Sequence, residues 1–588
     1  MAKRHWKQFF LTLTVALVCS YVVAAADDTR LPARDGSRYA SIFVFQDGDN
    51  FKEADEEIKN LEDSRLMGHV LYQRYLSPHY KASYAELADW MATYSDHPGA
   101  QKIHALAESR RPKKDAARLL PPRSGKGISG YHDEDSGQLA QSYLAEQKFT
   151  QREHNIMRAI RRNLSLNPTS ARTRLESPEA KKIFSPTKYD ALRALVAESQ
   201  FYNGRTSEAH KLAAASADRS GKDVPLAGWI AGLSAWKEER YDVAAKYFES
   251  AAGSPRASSW MLSASAYWAA RSYLRSHQPQ KVADWLHRAA EHPRSFYGII
   301  AIKALGMEQA RFNWDMPHMN SRLITALNAV PAGQRALALV DSRQPALAEQ
   351  ELRQINPGND KTLQEAMMAL AHTTGIPAFE MRLGSGLKNK NGELYDAALY
   401  PDVPWQPAGG YQVDKALVYA FIRQESKFDA AAGNKTSGAV GLMQLMPSTA
   451  MLVARRNNIK LDREQLRDPV VNIGLGQKYL EDLLEHENVR GNLFKLAVAY
   501  NAGPGKLARW EKNVNYEDDP LLFVESIPVP ETRIFVERVL TNYWIYRLKY
   551  DQNPDSLDKV ASGAWPVYTS RDDDRGFSFV DASDVLGR

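Results

Sequence analysis

Glu425 is the residue around which chemistry can be built. It ends a run from Asp414 in which Leu417, Val418, Phe421 and Ile422 recur at helical spacing. It follows Phe421 by four positions and Ile422 by three, so one late carboxylate projects from the apolar face of a helix capped by Asp414. A carboxyl group desolvated in this way favours its neutral form, the state a general acid needs near neutral pH. From this helix alone, a cap or an ion pair at the helix end accounts for Glu425 equally well.

Three further clusters offer groups of the kind that sugars bind. Gly438-Ala439-Val440-Gly441 leaves backbone close to whatever lies above it, and Pro447 opens the next helix. Between them Gln444 carries an amide that both donates and accepts, which suits acetamido and hydroxyl groups. Met443 and Met446 are adaptable apolar surfaces for a ring face, although a methionine taken singly is more often core. Ala499-Tyr500-Asn501-Ala502-Gly503 ends a helix just before Pro504-Gly505, which puts Tyr500 and Asn501 at a cleft edge. A buried aromatic with a satisfied hydroxyl is the other reading of Tyr500. Glu531 begins a helix after Pro528 and Pro530, where capping alone explains a carboxylate.

Taken together, the motifs resemble the soluble lytic murein transglycosylases. The resemblance rests on Glu425-Ser426, Gly441 to Pro447, Ala499 to Gly503, and Ile527-Pro528 with Glu531-Thr532-Arg533. It extends to Phe296-Tyr297-Gly298 and to Gln73-Arg74-Tyr75-Leu76, and so spans nearly the whole chain after its leader. It implies a mainly α protein: a helical-repeat superhelix (a solenoid) followed by a lysozyme-like α, or α+β, catalytic domain. It implies that Glu425 first protonates the glycosidic oxygen between N-acetylmuramic acid and N-acetylglucosamine. The same group then takes the proton of the muramoyl 6-hydroxyl, which closes onto C1 to give a 1,6-anhydro end. Gln444, Met443, Met446, Tyr500, Asn501 and Glu531 carry over as substrate-binding residues, with no metal and no cofactor. One departure stands out. Where the family commonly has a serine three residues before the G-A-x-G element, this chain has Lys435, so Ser437 is the expected partner that orients Glu425.

Ordinary glycosidases use two carboxylates at a defined separation. The nearest second carboxylate in sequence is Asp429, read as a turn residue. A hydrolytic muramidase using Asp429, and a periplasmic adaptor with a non-catalytic sugar-binding domain, are the competing functions.

The elements that must position these groups are helical. Leu195, Ala209, Leu212 and Ala215 recur 36 positions later as Ala231, Ala245, Phe248 and Ala251. They recur again 38 positions on as Ala269, Ala283, Leu286 and Ala289. Such spacing predicts stacked helix pairs, with Asn203-Gly204 and His277-Gln278-Pro279 as turns. Met67–Leu76 and Tyr84–Tyr94 also show helical spacing. Arg110 to Asp135, rich in Pro, Gly and charge, reads as a loop, and its basic cluster as a solvated surface. The domain organisation expected is a signal peptide at 1–26, a superhelical domain at 27–386 and a linker at 387–410. The transglycosylase domain then occupies 411–550, and a polar tail 551–588.

The first 26 residues set a basic start (Lys3, Arg4, Lys7) before an apolar run from Phe9 to Val23 that ends in Ala24-Ala25-Ala26. That pattern predicts a leader cleaved near Ala26, export to the periplasm and no membrane insertion afterwards. The only cysteine, Cys19, goes with it, so packing rather than disulfides must hold the rest. The whole chain carries a formal charge of +6, which falls to +3 without the leader's three basic residues. Near-balance argues against a nucleic-acid binder. The partners expected are peptidoglycan glycan strands, with the helical array as a surface for cell-wall proteins.

Overall fold

The computed structural model describes residues 31–113, 118–123, 125, 127–128, 142–307, 312–434 and 436–570. The leader expected at 1–26 lies outside the described residues, as do Lys435 and 571–588. The chain divides into two compact units, each built from two stretches: 1–132 with 313–404, and 133–312 with 405–588. The passage from first to second falls between Pro404 and Trp405, inside the segment read as linker.

In the second unit the repeats appear as antiparallel helix pairs. Pro186–Tyr202 packs on Thr206–Ser220, Pro225–Lys237 on Tyr241–Ala252, and Ser259–Arg275 on Val282–Ala290. Starts are set by Ser185 and Ser258, whose hydroxyls cap their helices, and by proline in the first turn of two of them. The repeated positions Leu195, Ala231, Ala269, Ala209, Ala245, Leu212 and Phe248 are buried. Ala215 and Ala283 instead face solvent, so the repeat reaches the interface only in part.

Phe296–Ala304 joins the repeats to the helices that follow residue 410. Phe296 stacks on Trp544, ring centroids 5.5 Å apart, and meets Phe494 at 6.0 Å. Such pairs contribute about 0.5–1.5 kcal/mol beyond their buried area. Tyr297 donates its hydroxyl to Glu525 at 2.6 Å. A side chain at Gly298 would lie 1.9 Å from the His292 carbonyl, so only glycine lets this turn close. The Phe-Tyr-Gly sequence is thus a clasp between the repeats and the later helices.

Those later helices surround Pro530–Lys549, which is buried along most of its length and accordingly lacks a polar face. Residues 551–570, read from sequence as polar tail, are part of this structure. Asp555–Ala561 is a helix with Leu557 and Val560 buried, and Leu493 N–H donates to the Pro566 carbonyl. Sparse apolar residues in a polar stretch hid this packing.

The first unit has its own core, with Tyr39, Ile42, Phe43 and Val70 from the early stretch packed with Leu327, Leu339, Met367 and Phe379 from the later one. Met67–Leu76 and Tyr84–Tyr94 are helices, as their spacing predicts. Among the described residues no helix is long and apolar enough to cross a membrane.

Candidate active site

Glu425 lies one residue from the end of the Lys415–Ser426 helix, which buries Leu417, Val418, Phe421 and Ile422. The chain then turns sharply through Lys427 and Phe428, both with positive φ (51° and 66°). Two successive left-handed non-glycine residues are costly, and Phe428 is held there by burial. Asp414 occupies the cap position but makes no cap hydrogen bond. Its carboxylate is fully buried and bound by Arg547, by Tyr543 Oη at 3.2 Å and by Ser570 Oγ at 2.9 Å. The expected cap is therefore an ion-pair anchor, because a guanidinium outcompetes backbone amides for a buried carboxylate.

Glu425 itself is half-buried, and among the described residues nothing hydrogen-bonds or ion-pairs with its carboxylate. Burial, with the charge of Glu531 adding to it, pushes its pKa up to about 8. The helix C-terminus, where the backbone dipole is negative, acts in the same direction. At pH 7 roughly nine in ten such groups hold a proton. Glu531 is exposed in the first turn of Pro530–Lys549.

The 433–445 loop forms one wall. It folds back through single bridges, Gly433 to Val440 and Val440 to Leu445. Asn472, buried on the Pro469–Glu485 helix, staples it: Oδ1 accepts from Met443 N–H at 2.9 Å, and Nδ2 donates to the Val440 carbonyl at 3.1 Å. Gly441 takes φ +79°, and a Cβ there would lie 2.3 Å from Asn472 Nδ2. Gln444, also at positive φ (44°), spends its amide nitrogen on the carbonyls of Gly441 (2.8 Å) and Ala432 (3.2 Å).

Tyr500 is wedged between Phe421 and Tyr479, centroids 4.6 and 5.3 Å away, and lies nearly parallel to Phe535. Its hydroxyl donates to the Met443 carbonyl at 2.7 Å. Burial and the neighbouring Glu425 hold its pKa well above the ordinary value. Asn501 accepts from the Thr532 hydroxyl at 2.6 Å. Glu425 is thus coupled electrostatically to both Tyr500 and Glu531, while Gln444 bonds within its own loop and Asn501 to Thr532, the residue after Glu531.

Two sequence expectations are corrected. Met443 is fully buried, its sulfur filling the space left by Gly476, so it is core and not a sugar contact. Met446, 39% exposed, is the methionine that faces outward. Ser437 is exposed and its Oγ accepts from Ala439 N–H at 3.3 Å; no hydrogen bond joins it to Glu425 among the described residues. The short loop turns its hydroxyl to local backbone. Asp429 likewise caps its own turn, accepting from Ala431 N–H at 2.9 Å. Sequence reasoning missed Asn472, and it did not foresee the bond from Thr532 to Asn501. A lone asparagine in the apolar run Val470-Val471-Asn472-Ile473 was the available signal.

Among the described residues, His69, His97 and Glu351 of the first unit have metal-ligand spacing and are buried. Glu351 already receives two hydrogen bonds from Arg335, at 2.7 and 2.9 Å, and is within 2.7 Å of His69. The guanidinium supplies the cation there.

Residues 404–523 match the model of the Transglycosylase SLT domain. The soluble lytic murein transglycosylase of Escherichia coli (strain K12) is 28% identical over 301 residues, which cover 50% of this chain and 45% of that protein. A putative soluble lytic murein transglycosylase of Haemophilus influenzae is 34% identical over 170 residues, covering 29% of this chain and 27% of that one. The chain thus spans less than half the length of these two curated relatives. Among solved structures, the 70-kDa soluble lytic transglycosylase in complex with bulgecin A aligns with a TM-score of 0.62 at 18% identity, over 90% of this chain and 99% of that one. An inactive mutant of the lytic transglycosylase Slt from Pseudomonas aeruginosa, with a glutamine in place of a glutamate, aligns with a TM-score of 0.55 at 20% identity, over 88% and 87%. The fold is that of a helical repeat array with a lysozyme-like domain. Residues 404–523 are thus similar to the Transglycosylase SLT domain, and about half of the chain is similar to the soluble lytic murein transglycosylases.

Proposed function

We propose that the chain is an exported lytic transglycosylase that cleaves the β-1,4 bond between N-acetylmuramic acid and N-acetylglucosamine in peptidoglycan. The observation that carries this reading is Glu425: a single carboxyl group on an apolar wall, pushed up to about 8 and lacking a pairing cation among the described residues. A group with a pKa near the working pH serves as both acid and base. Neutral Glu425 gives its proton to the glycosidic oxygen as the bond to C1 breaks. The resulting carboxylate then takes the proton of the muramoyl 6-hydroxyl, whose oxygen closes on C1. Glu531 keeps Glu425 protonated before the first step and is placed to favour the positive charge that develops on the sugar ring. Met446, Gln444 and Asn501 line the cleft as sugar contacts, while Tyr500 fixes the loop wall through Met443. The catalytic unit is 411–550 with its packed continuation to 570, and the work is done on the cell wall in the periplasm, with the repeat array as a surface for protein partners.

The test is a digest of purified murein with product masses. Anhydro ends, one water lighter than hydrolysed ends, support the reading. Hydrolysed ends assign a muramidase, and intact murein assigns the non-catalytic adaptor.

A further inference from the structure

We propose that Glu198 and Tyr202, on a repeat helix, are positioning residues for the cleft: by holding Arg533 they fix the first turn of the Pro530–Lys549 helix, and with it Glu531 and the Thr532–Asn501 pair. The inference rests on the transglycosylase reading of that cleft.

Three consecutive residues open the Pro530–Lys549 helix, and each points to a different task. Successive helical side chains differ by about 100°, so Arg533 projects about 200° from Glu531, to the back of the turn. There it is 4% exposed. Its Nη1 donates to the Ile527 carbonyl at 3.0 Å. Its Nη2 lies 3.7 Å from Glu198, and its guanidinium sits over the Tyr202 ring, 4.3 Å from the centroid. Glu198 and Tyr202 are both on Pro186–Tyr202, the first helix of the repeats. Thr532, between Glu531 and Arg533, donates to Asn501 at the end of the Leu493–Ala502 helix.

The pocket around Arg533 is expensive for anything but its present arrangement. Burial raises the pKa of Glu198, Glu525 and Glu537, and Arg533 lowers each in return. Arg538, over Trp260, offsets Glu537 further. Glu525 is also held by the Tyr297 hydroxyl. Moving Arg533 would leave the buried Glu525 and Glu537 and the partly buried Glu198 without its counter-charge. The turn is therefore gripped from the repeat side, and the Glu531 carboxylate is held where its charge acts on Glu425. A stability role alone would leave the proton affinity of Glu425 unchanged; a positioning role moves it.

The experiment compares full-length wild type with Glu198→Gln, Tyr202→Leu, Glu531→Gln and the double variant Glu198→Gln/Glu531→Gln. Murein cleavage is followed as kcat/KM from pH 5 to 10, with thermal melting of each protein. Glu531→Gln moves the alkaline limb to lower pH, because Glu425 loses the charge that helps keep it protonated. Glu198→Gln and Tyr202→Leu move that limb in the same direction and lower kcat about tenfold to a hundredfold, the cost of an ångström-scale misplacement. In the double variant Glu198→Gln adds no further displacement. A limb that stays in place while the melting temperature falls would overturn the proposal. If wild type itself leaves murein intact, the functional reading fails instead. The linkage is then read from melting: Glu198→Gln should shrink the pH-dependent stability gap that Glu425→Gln produces, and an unchanged gap would overturn it.

Discussion

Replacing Glu425 by glutamine should stabilise the protein, increasingly so as pH rises. Burial, with Glu531 adding to it, moves the carboxyl from 4.5 to about 8, whereas in the unfolded chain it ionises at its ordinary value. Below about pH 4 both states hold the proton, and the charge contributes nothing. Above that, the unfolded chain releases the proton first, and each pH unit costs the fold about 1.4 kcal/mol until the folded group ionises too. The penalty is thus at most about 5 kcal/mol above pH 8 and about 3 kcal/mol at pH 7. Half-burial admits some water, so the measured figure should fall below this ceiling. Glutamine keeps the shape and removes the charge. Melting curves of wild type and Glu425→Gln at half-unit steps from pH 4 to 9 give the comparison. The variant should gain on wild type between pH 4.5 and 8 and hold its lead above that. A constant gap would mean that Glu425 is solvated normally. A lead that reverses at high pH would mean that its carboxylate is paired, and the argument for a neutral acid would fall.

Other perturbations separate the wall from the core. Tyr500→Phe should leave the Met443 carbonyl unpaired, cost about 1–3 kcal/mol and lower kcat more than it raises KM, as read by melting and murein-release kinetics. Gly441→Ala combines a positive φ with a contact at 2.3 Å, so it should displace Asn472 and the 433–445 loop, cutting cleavage at least tenfold while the repeat helices keep their circular dichroism. Met443→Ala should destabilise by about 2–5 kcal/mol, whereas Met446→Ala should leave the melting temperature in place and weaken binding of glycan fragments, measured by calorimetry.

How much of this was legible in the sequence depends on what each residue is asked to do. The apolar spacing around Glu425 and the 36- to 38-residue recurrences were readable, because periodicity survives in a single chain. What Asp414 bonds was not: a helix-start aspartate reads as a cap, and only the fold brings Arg547, Tyr543 and Ser570 to it. The same holds for the two methionines, identical in type and three apart, one of which fills the gap at Gly476 while the other faces out. Motif spacing points to Ser437, and the short loop turns its hydroxyl to Ala439 instead. Asn472 and the Glu198–Arg533 contact join residues 29 or more positions apart, a separation at which no local pattern signals contact. Residues 551–570 looked like tail because their anchoring groups, Tyr568, Thr569 and Ser570, are polar and find partners only across the fold.

The central claim is that Glu425 alone supplies both proton transfers and that the muramoyl 6-hydroxyl, not water, closes on C1. Digestion of purified murein in oxygen-18 water, with mass spectrometry of the new muramoyl ends, tests it most directly. The account predicts ends one water lighter than hydrolysed ends, with no heavy oxygen at C1, and none formed by Glu425→Gln. New ends that carry one atom of oxygen-18 would contradict it, as would undiminished product from the variant.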